Sequence, residues 1–258
     1  MSKKITRINA LIDILKTKNG ASVKDLSEIL NVSEMTIRRD LKLLKENKIV
    51  NNVYGATIYN PTNQIQKMDE SYEFISEYTK HDSAKESIGR CAANLIQPDE
   101  TIIIDTGTTT EKMISHIKDN QNLTILCYNA NALAKLTSKN ISLIFAGGYF
   151  HPNTQMFESP EGIAFINRTR AHKAFISAAG VHESLGVTCA YNYELATKSA
   201  ILHSSMQKIL LVDASKFGVV KSGLFAELSI FDTIITDDKI SPEWQNIIHN
   251  AGIELIIA

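Results

Sequence analysis

Only three cysteines occur in 258 residues: Cys91, Cys127 and Cys189, odd in number and far apart. That spacing excludes a disulfide framework and a paired-cysteine metal or redox site, and it fits free thiols in a reducing, cytoplasmic setting. No uncharged apolar run approaches the ~18–20 residues that span a bilayer. The first twenty residues are amphipathic, charged throughout and without a small-residue cleavage site, so they do not read as a secretory signal. No membrane partner is expected. His81, His116, His151, His172, His182, His203 and His249 are scattered without metal-ligand spacing, so neither a metal nor a cofactor is expected. His151 and His182 stand apart only because each follows a candidate binding loop. The single tryptophan, Trp244, lies in a late helical stretch and reads as packing. A Gly-x-Gly-x-x-Gly turn, a Walker lysine loop and a Gly-x-Ser-x-Gly elbow are all missing.

What is present is a globular composition, 44 % apolar and 21 % charged, of a length that suits a small module joined to a larger one. The net charge of −1 is unevenly spread. Residues 1–60 hold eight Lys and three Arg against six acidic residues, a net of +5, which leaves −6 for the other 198. A basic head on an acidic body points to a polyanion at the head; a solvated lysine-rich surface is the alternative.

The pattern within the head decides between them. Ile5, Ile8, Leu11, Ile12 and Leu15 recur at helical spacing and Asn19-Gly20 stops the run. Ser22, with Asp25 three residues on, can cap a second helix whose buried face is Val23, Leu26, Ile29 and Leu30. After Asn31-Val32, Ser33 can cap a third helix, SEMTIRRDLKLLKEN, with Ile37, Leu41 and Leu44 turned inward. Thr36, Arg38, Arg39, Lys42 and Lys45 then fall mainly on other faces. Two short helices, a tight turn and a basic third helix make a helix-turn-helix, in which Arg can pair with guanine and Lys can neutralise phosphate. A three-helix protein-interaction module is the other reading. The segment KIVNNVYGATIY alternates like a strand, with Asn51, Asn52 and Gly55 as turn residues, and reads as a hairpin wing.

The run VSEMTIRRDLKLLKE resembles the recognition-helix signature of the DeoR-type bacterial repressors. That resemblance implies contacts to double-stranded operator DNA from Ser33, Met35, Thr36, Arg38, Arg39 and Lys42. The wing departs from the family pattern, which often ends in an Arg-rich turn and a Gly-Gly pair.

Residues 60–80 are polar, contain Pro61 and read as a linker or short connecting helix. Beyond them come TIIID, LTILC, ISLIF, KAFIS, KILLV, DTIIT and IELII, separated by loops and amphipathic stretches, with helices expected over 83–96 and 111–117. Short β-branched runs of this kind are strands buried on both faces of a mainly parallel sheet. Ligands of such sheets bind at the carboxyl ends of the strands. Five candidate loops follow these runs: Asp105-Thr106-Gly107-Thr108-Thr109-Thr110, Asn129-Ala130-Asn131, Gly147-Gly148, Ser177 to His182, and Asp213 to Gly218 with Lys216. Each has a plain structural alternative, an N-cap or a turn. Glu194 and Lys198, four apart, are equally a routine surface pair. Together the hydroxyls, amides and carboxylates suggest a phosphorylated sugar.

The body too resembles the DeoR-type family in DTGTTT, AGG and VDASKFG. The resemblance implies a C-terminal α/β sugar-phosphate sensor domain like ribose-5-phosphate isomerase, with Asp105, Gly107, Thr108, Thr109, Gly147, Gly148, Gly180, Glu194, Lys198 and Lys216 as effector-site residues. CYNAN, GGYFH, SAAGVH, TCAYNYEL and VDASKFG together resemble one branch of that family more closely, and this resemblance implies deoxyribose 5-phosphate as the effector and repression of a carbohydrate or deoxyribonucleoside catabolic operon as the role. The expected organisation is a winged helix-turn-helix at 1–59, a linker at 60–80 and the effector-binding domain at 81–258, working as a homo-oligomer. A competing reading is an isomerase-like enzyme with a DNA-binding appendage, in which Glu194, Asp213 and Lys216 supply base, orienter and electrophile.

Overall fold

The computed structural model describes residues 7, 10, 11, 14, 15, 21–46, 50–53, 56–59, 77, 80–119 and 122–258. In the head, Leu11 and Leu15 belong to a helical stretch and pack with Leu26, Ile37, Leu41, Leu44 and Val50 in a small apolar core. Strand β1 (Ala21–Ser22) leads into α1 (Val23–Ile29). Ser22 and Asp25 cap α1 reciprocally: the Asp25 amide donates to Ser22 Oγ and the Ser22 amide donates to the Asp25 carboxylate, each at 3.1 Å. The expected third helix is α2 (Glu34–Glu46), its start held by the Thr36 amide donating to Ser33 Oγ at 3.3 Å. The buried Asp40 carboxylate ties α2 to the first helical stretch through Arg7 Nε at 2.6 Å.

The wing is present as β2 (Val50–Val53) and β3 (Ala56–Tyr59), antiparallel with Val50 opposite Tyr59. Asn51 and Asn52 are paired strand residues, not turn residues: each faces a partner on β3, Ile58 and Thr57. Gly55, Asn19-Gly20, Ile5, Ile8, Ile12 and Pro61 lie outside the described residues. Strand β1 pairs with β3, a third strand that the alternation of the wing does not reveal.

The body begins with α3 (Asp82–Ala93). All seven expected runs are strands of one parallel sheet: β4 (Thr101–Ile104), β5 (Thr124–Cys127), β6 (Ser142–Phe145), β9 (Ala171–Ser177), β12 (Ser205–Leu211), β14 (Thr233–Thr236) and β15 (Glu254–Ile257). Their order is β15-β14-β12-β9-β4-β5-β6. Alternate residues face opposite layers. Ile102, Ile104, Phe175, Ile209 and Leu211 meet Ile88 and Ala92 of α3 and Met113 of α4 (Thr108–Ile114). Ile103, Ala174, Ile176 and Leu210 meet Ile166 of α6 (Pro160–Arg168), Ile201 of α7 (Leu195–Ser204) and Ile248 of α8 (Pro242–Asn250). Helix α5 (Ala130–Leu136) lies on the α4 side. Burial on both faces explains why these strands read as unbroken apolar runs.

From β4 the chain winds outward through β5 and β6; from β9 it winds the other way through β12, β14 and β15. The adjacent ends of β4 and β9 are therefore the switch point at which such sheets open a crevice. A hairpin, β7 (Tyr149–His151) with β8 (Met156–Glu158), and a small antiparallel sheet of β10 (Gly180–His182), β11 (Gly186–Cys189) and β13 (Gly223–Ala226) complete the body, and Thr154 of the hairpin turn and Cys189 of β11 reach the crevice.

Candidate functional site

A small polar cleft, with an enclosed volume of about 30 Å³, opens at that switch point. Thr106, Gly107, Thr108 and Thr109 come from the β4 end, Ser177, Ala178 and Ala179 from the β9 end, and Lys216 from the turn after β12. Glu194 and Lys198 enter from the start of α7. Three of the five candidate loops thus converge. Helix α4 begins earlier than the sequence suggests, at Thr108 and not at 111, so the threonines form its first turn. Thr110 Oγ1 donates back to the carbonyls of Asp105 and Gly107, closing the turn at 2.8 and 2.9 Å.

Asp105 is the centre of the buried network. Its carboxylate accepts from the Ser177 amide at 2.9 Å, Ser177 Oγ at 3.2 Å, Lys198 Nζ at 2.5 Å and the Tyr128 hydroxyl. Lys198 Nζ also donates to the Ser177 carbonyl at 3.0 Å and stands 3.9 Å from Glu194. Burial works against the Lys198 ammonium, yet Asp105 and Glu194 outweigh it and hold its pKa above that of an ordinary lysine. Glu194 is pushed up to about 7 by burial, against the opposing pull of Lys198 and of the Tyr191 amide, which donates to it at 2.9 Å. Glu194 and Lys198 are therefore not a surface pair: both are buried and both line the cleft.

The other expected residues sit elsewhere. Asn129 caps α5, its Oδ1 accepting from the amides of Asn131 and Ala132, while its Nδ2 donates to Thr106 Oγ1 at 2.8 Å. Gly147, Gly148 and Gly180 are outside the cleft lining. Gly148 has φ +150°, and a Cβ there would stand 2.3 Å from the Glu158 carbonyl oxygen; one at Gly180 would stand 2.4 Å from that of Val219. Backbone packing accounts for both. Asp213 turns its Oδ1 to Ser215, and its buried Oδ2 has no hydrogen-bond partner among the described residues. His151 stacks on Tyr193 with centroids 3.8 Å apart, and His182 is buried on β10 beside Ser184.

Sequence reasoning missed Tyr128, Thr154, Lys85 and Glu77. Lys85 shares the inward face of α3 with Ile88, Gly89 and Ala92 and is 1 % exposed. A lysine in register with an apolar stripe was the available signal. Burial, then the nearby Lys216, lowers its pKa to about 8. Glu77, from the segment read as linker, lines the cleft and accepts from Lys216 Nζ at 3.1 Å and Lys80 Nζ at 2.7 Å. Burial raises the pKa of its carboxyl, but the two lysines prevail and lower it to about 2.

On α2, Ser33, Met35, Arg38, Arg39 and Lys42 are exposed and Thr36 half-buried, so the expected DNA-binding residues are presented together around the start of the helix. Among the described residues no helix is long and apolar enough to cross a membrane, and no cluster of His, Cys, Asp or Glu could hold a metal ion.

A helix-turn-helix with an exposed basic helix, followed in the chain by a parallel α/β body with a polar cleft at its switch point, has the parts of a transcription regulator, and the matching families and relatives are transcriptional regulators, not enzymes. Residues 7–63 match the DeoR-like helix-turn-helix domain and residues 80–238 the DeoR C terminal sensor domain. The chain belongs to the DeoR family. It is 32 % identical over 232 residues to the deoxyribose operon repressor of Escherichia coli (strain K12), covering 90 % of this chain and 89 % of that one. It is 29 % identical over 254 residues to the HTH-type transcriptional regulator GolR of Listeria innocua, covering 98 % of each. Among solved structures, ribose 5-phosphate isomerase from Plasmodium falciparum is similar over 53 % of each chain at 17 % identity and a TM-score of 0.39.

Proposed function

We propose that the chain is a cytoplasmic repressor of a carbohydrate or deoxyribonucleoside catabolic operon, released from its operator by a sugar phosphate, with deoxyribose 5-phosphate the first candidate. The observation that carries this reading is the cleft lining, which brings Thr108, Thr109 and Lys216 together with Glu194 and with Lys198, itself paired to the buried Asp105. Hydroxyls and a lysine ammonium suit a phosphate. A carboxylate held beside an ammonium suits the hydroxyls of a sugar, each of which both donates and accepts. The deoxyribose operon repressor relative supports the choice of effector.

In this reading residues 1–59 bind DNA through Ser33, Met35, Thr36, Arg38, Arg39 and Lys42, residues 60–80 connect, and residues 81–258 sense the effector. Two or more copies present their heads to repeated half-sites. An effector that binds the DNA-incompetent arrangement more tightly shifts the population towards it, by no more than its differential affinity.

Thermal unfolding of the full chain against a panel of sugar phosphates tests the reading. A ligand at 100 times its dissociation constant adds about 2.7 kcal/mol to the folded state. A selective rise with deoxyribose 5-phosphate is expected. A rise with another sugar phosphate replaces the effector, and no rise with any sinks the sensor account.

A further inference from the structure

Both strands of the β10–β11 hairpin spring from the cleft. Ala178 and Ala179, in the cleft lining, lead directly into β10; Cys189, the last residue of β11, and Ala190 after it are in the lining too. Between these ends Gly180 pairs with Thr188, Val181 with Val187 and His182 with Gly186, three rungs that carry the tip ~10 Å from the base. Val181 and Val187 are fully buried. The Ala179 amide donates to the Thr188 carbonyl and the Gly218 amide to the Val181 carbonyl, each at 2.8 Å. At the tip, Ser184 Oγ donates to the Asp25 carboxylate at 2.7 Å, 159 positions away in the chain. Asp25 is the residue that caps α1 together with Ser22, and α1 packs through Leu26 on Ile37 and Leu41 of α2. We propose that the β10–β11 hairpin is the arm that carries the state of the cleft to the helix-turn-helix, through Ser184 at its tip and Asp25 in the head. This rests on the sensor reading above and adds the route by which the effector is felt at the DNA-binding helix.

The contact has the chemistry of a switch. Burial raises the pKa of the Asp25 carboxyl, but hydrogen bonds from Ser184 and Ser22 and the charge of His182 prevail and lower it. Asp25 is therefore an anion at neutral pH, and a hydroxyl bonded to an anion makes a stronger contact than one between neutral groups. The bond is also demanding in distance and angle. A stiff ladder whose base is re-aimed at Ala179 or Cys189 moves the tip as a unit, so the bond is either made or broken. Such a two-state element is what allows two distant sites to bias each other. With the contact made, Ser33, Met35, Arg38, Arg39 and Lys42 remain exposed. The arm and a DNA duplex thus engage different side chains of the head, and the arm can orient the head without competing for its DNA-binding face.

Coupling between sites is reciprocal, which supplies a test that needs no effector: DNA at the head must be felt at the cleft end of the arm. Ser184→Ala is the variant of choice, because Ser184 is exposed and outside the cleft lining, and the Ser22–Asp25 cap is left intact. Hydrogen exchange of the full chain is followed with and without saturating duplex DNA at low salt, where binding requires no particular sequence. The Ala179 amide is expected to change its rate about threefold or more on DNA binding in the natural chain, and to stay nearly constant in Ser184→Ala. An unchanged rate in the natural chain, or the same change in both proteins, overturns the arm. With deoxyribose 5-phosphate as the probe, duplex affinity of the natural chain is expected to fall about fivefold or more, in the ordinary range of such couplings, and that of Ser184→Ala by less than about twofold. Equal loss in both proteins, with the sugar phosphate stabilising both against heat, overturns the arm and leaves the sensor function standing. No stabilisation by any sugar phosphate, with DNA-driven exchange at Ala179 that depends on Ser184, keeps the arm and removes the sugar-phosphate reading.

Discussion

Lys198 Nζ lies 2.5 Å from Asp105 Oδ2, 93 positions away in the chain, with the two side chains 2 % and 0 % exposed. Removing one member of a buried pair leaves the other charged and unpaired, which typically costs about 3–5 kcal/mol. Here the costs are unequal, because Asp105 keeps Tyr128 and Ser177 as donors when Lys198 is lost, whereas Lys198 keeps a carbonyl, the Phe225 ring 5.0 Å away and the more distant Glu194 when Asp105 is lost.

Asp105→Ala is accordingly expected to lower the denaturant midpoint more than Lys198→Met does. The double variant should lose less than the sum of the singles, since each single change already breaks the pair. Urea unfolding of the four proteins measures this. Strict additivity would mean that the two groups act independently despite their proximity.

Glu194 makes stability depend on pH. Its carboxyl titrates at about 7 in the folded chain and near 4.3 when unfolded, so the folded state holds its proton more tightly. The resulting stabilisation is complete below pH ~4.3 and disappears as pH rises through 7. Glu77 and Lys85 shift outside this window: the first loses its contribution below its unfolded pKa as pH falls towards 2, and the second gains as pH rises above 8. Unfolding followed between pH 5 and 8 should show a decline in the natural chain that Glu194→Gln flattens. An identical slope in the variant would assign the decline to another group.

The parallel sheet was legible because burial on both faces leaves an unbroken β-branched run, as in Thr101–Ile104 and Thr233–Thr236. Strands β7, β8 and β10 were not, since three residues are too few to carry a period. The ends of β4 and β9 could be marked as a binding edge from Asp105, Gly107 and the threonines, because parallel topology alone gathers such ends. Which side chains then meet depends on contacts between residues far apart in sequence. Nothing near Asp105 in the sequence points to Lys198 or Tyr128. Lys216 was visible after its strand, whereas its partner Glu77 lay in a polar stretch with no periodic signal. Gly148 and Gly180 could not be told apart from ligand-binding glycines for a different reason: a turn forced by backbone packing and a turn shaped for a ligand use the same residue.

Those glycines can be sorted by substitution. A Cβ at Gly147 would meet only the Phe145 ring, at 3.9 Å, and Gly147→Ala should be close to neutral. At Gly148 and Gly180 the added atom would overlap a backbone carbonyl, and at Gly148 the φ of +150° adds strain. Each of these two variants should be destabilised by roughly 1–3 kcal/mol, with phosphate affinity unchanged in whatever fraction folds. Thermal unfolding and calorimetry separate the two effects. A Gly180→Ala protein of normal stability that had lost ligand would return Gly180 to the site.

The arginines of the head divide in the same way. Arg7 pairs with Asp40, whose carboxylate is 1 % exposed, and fixes the first helical stretch against α2. Among the described residues Arg38 pairs only with Glu34 one turn away, at 3.1 Å, and both are well exposed. An exposed pair of this kind is worth little, so Arg38 can turn to a phosphate or a base at small cost, and Arg39 is exposed as well. Arg38→Ala and Arg39→Ala should leave the thermal midpoint within a degree or two. Each should weaken binding to duplex DNA and, for every phosphate left without its arginine, reduce the slope of log affinity against log salt by about 0.9. Arg7→Ala should instead lower the midpoint of the head, and its DNA affinity should recover at temperatures where the head stays folded. Fluorescence anisotropy with labelled duplex at several salt concentrations, beside a melting curve for each variant, makes the comparison. An unchanged salt slope in both Arg38→Ala and Arg39→Ala would remove this face of α2 from the DNA interface.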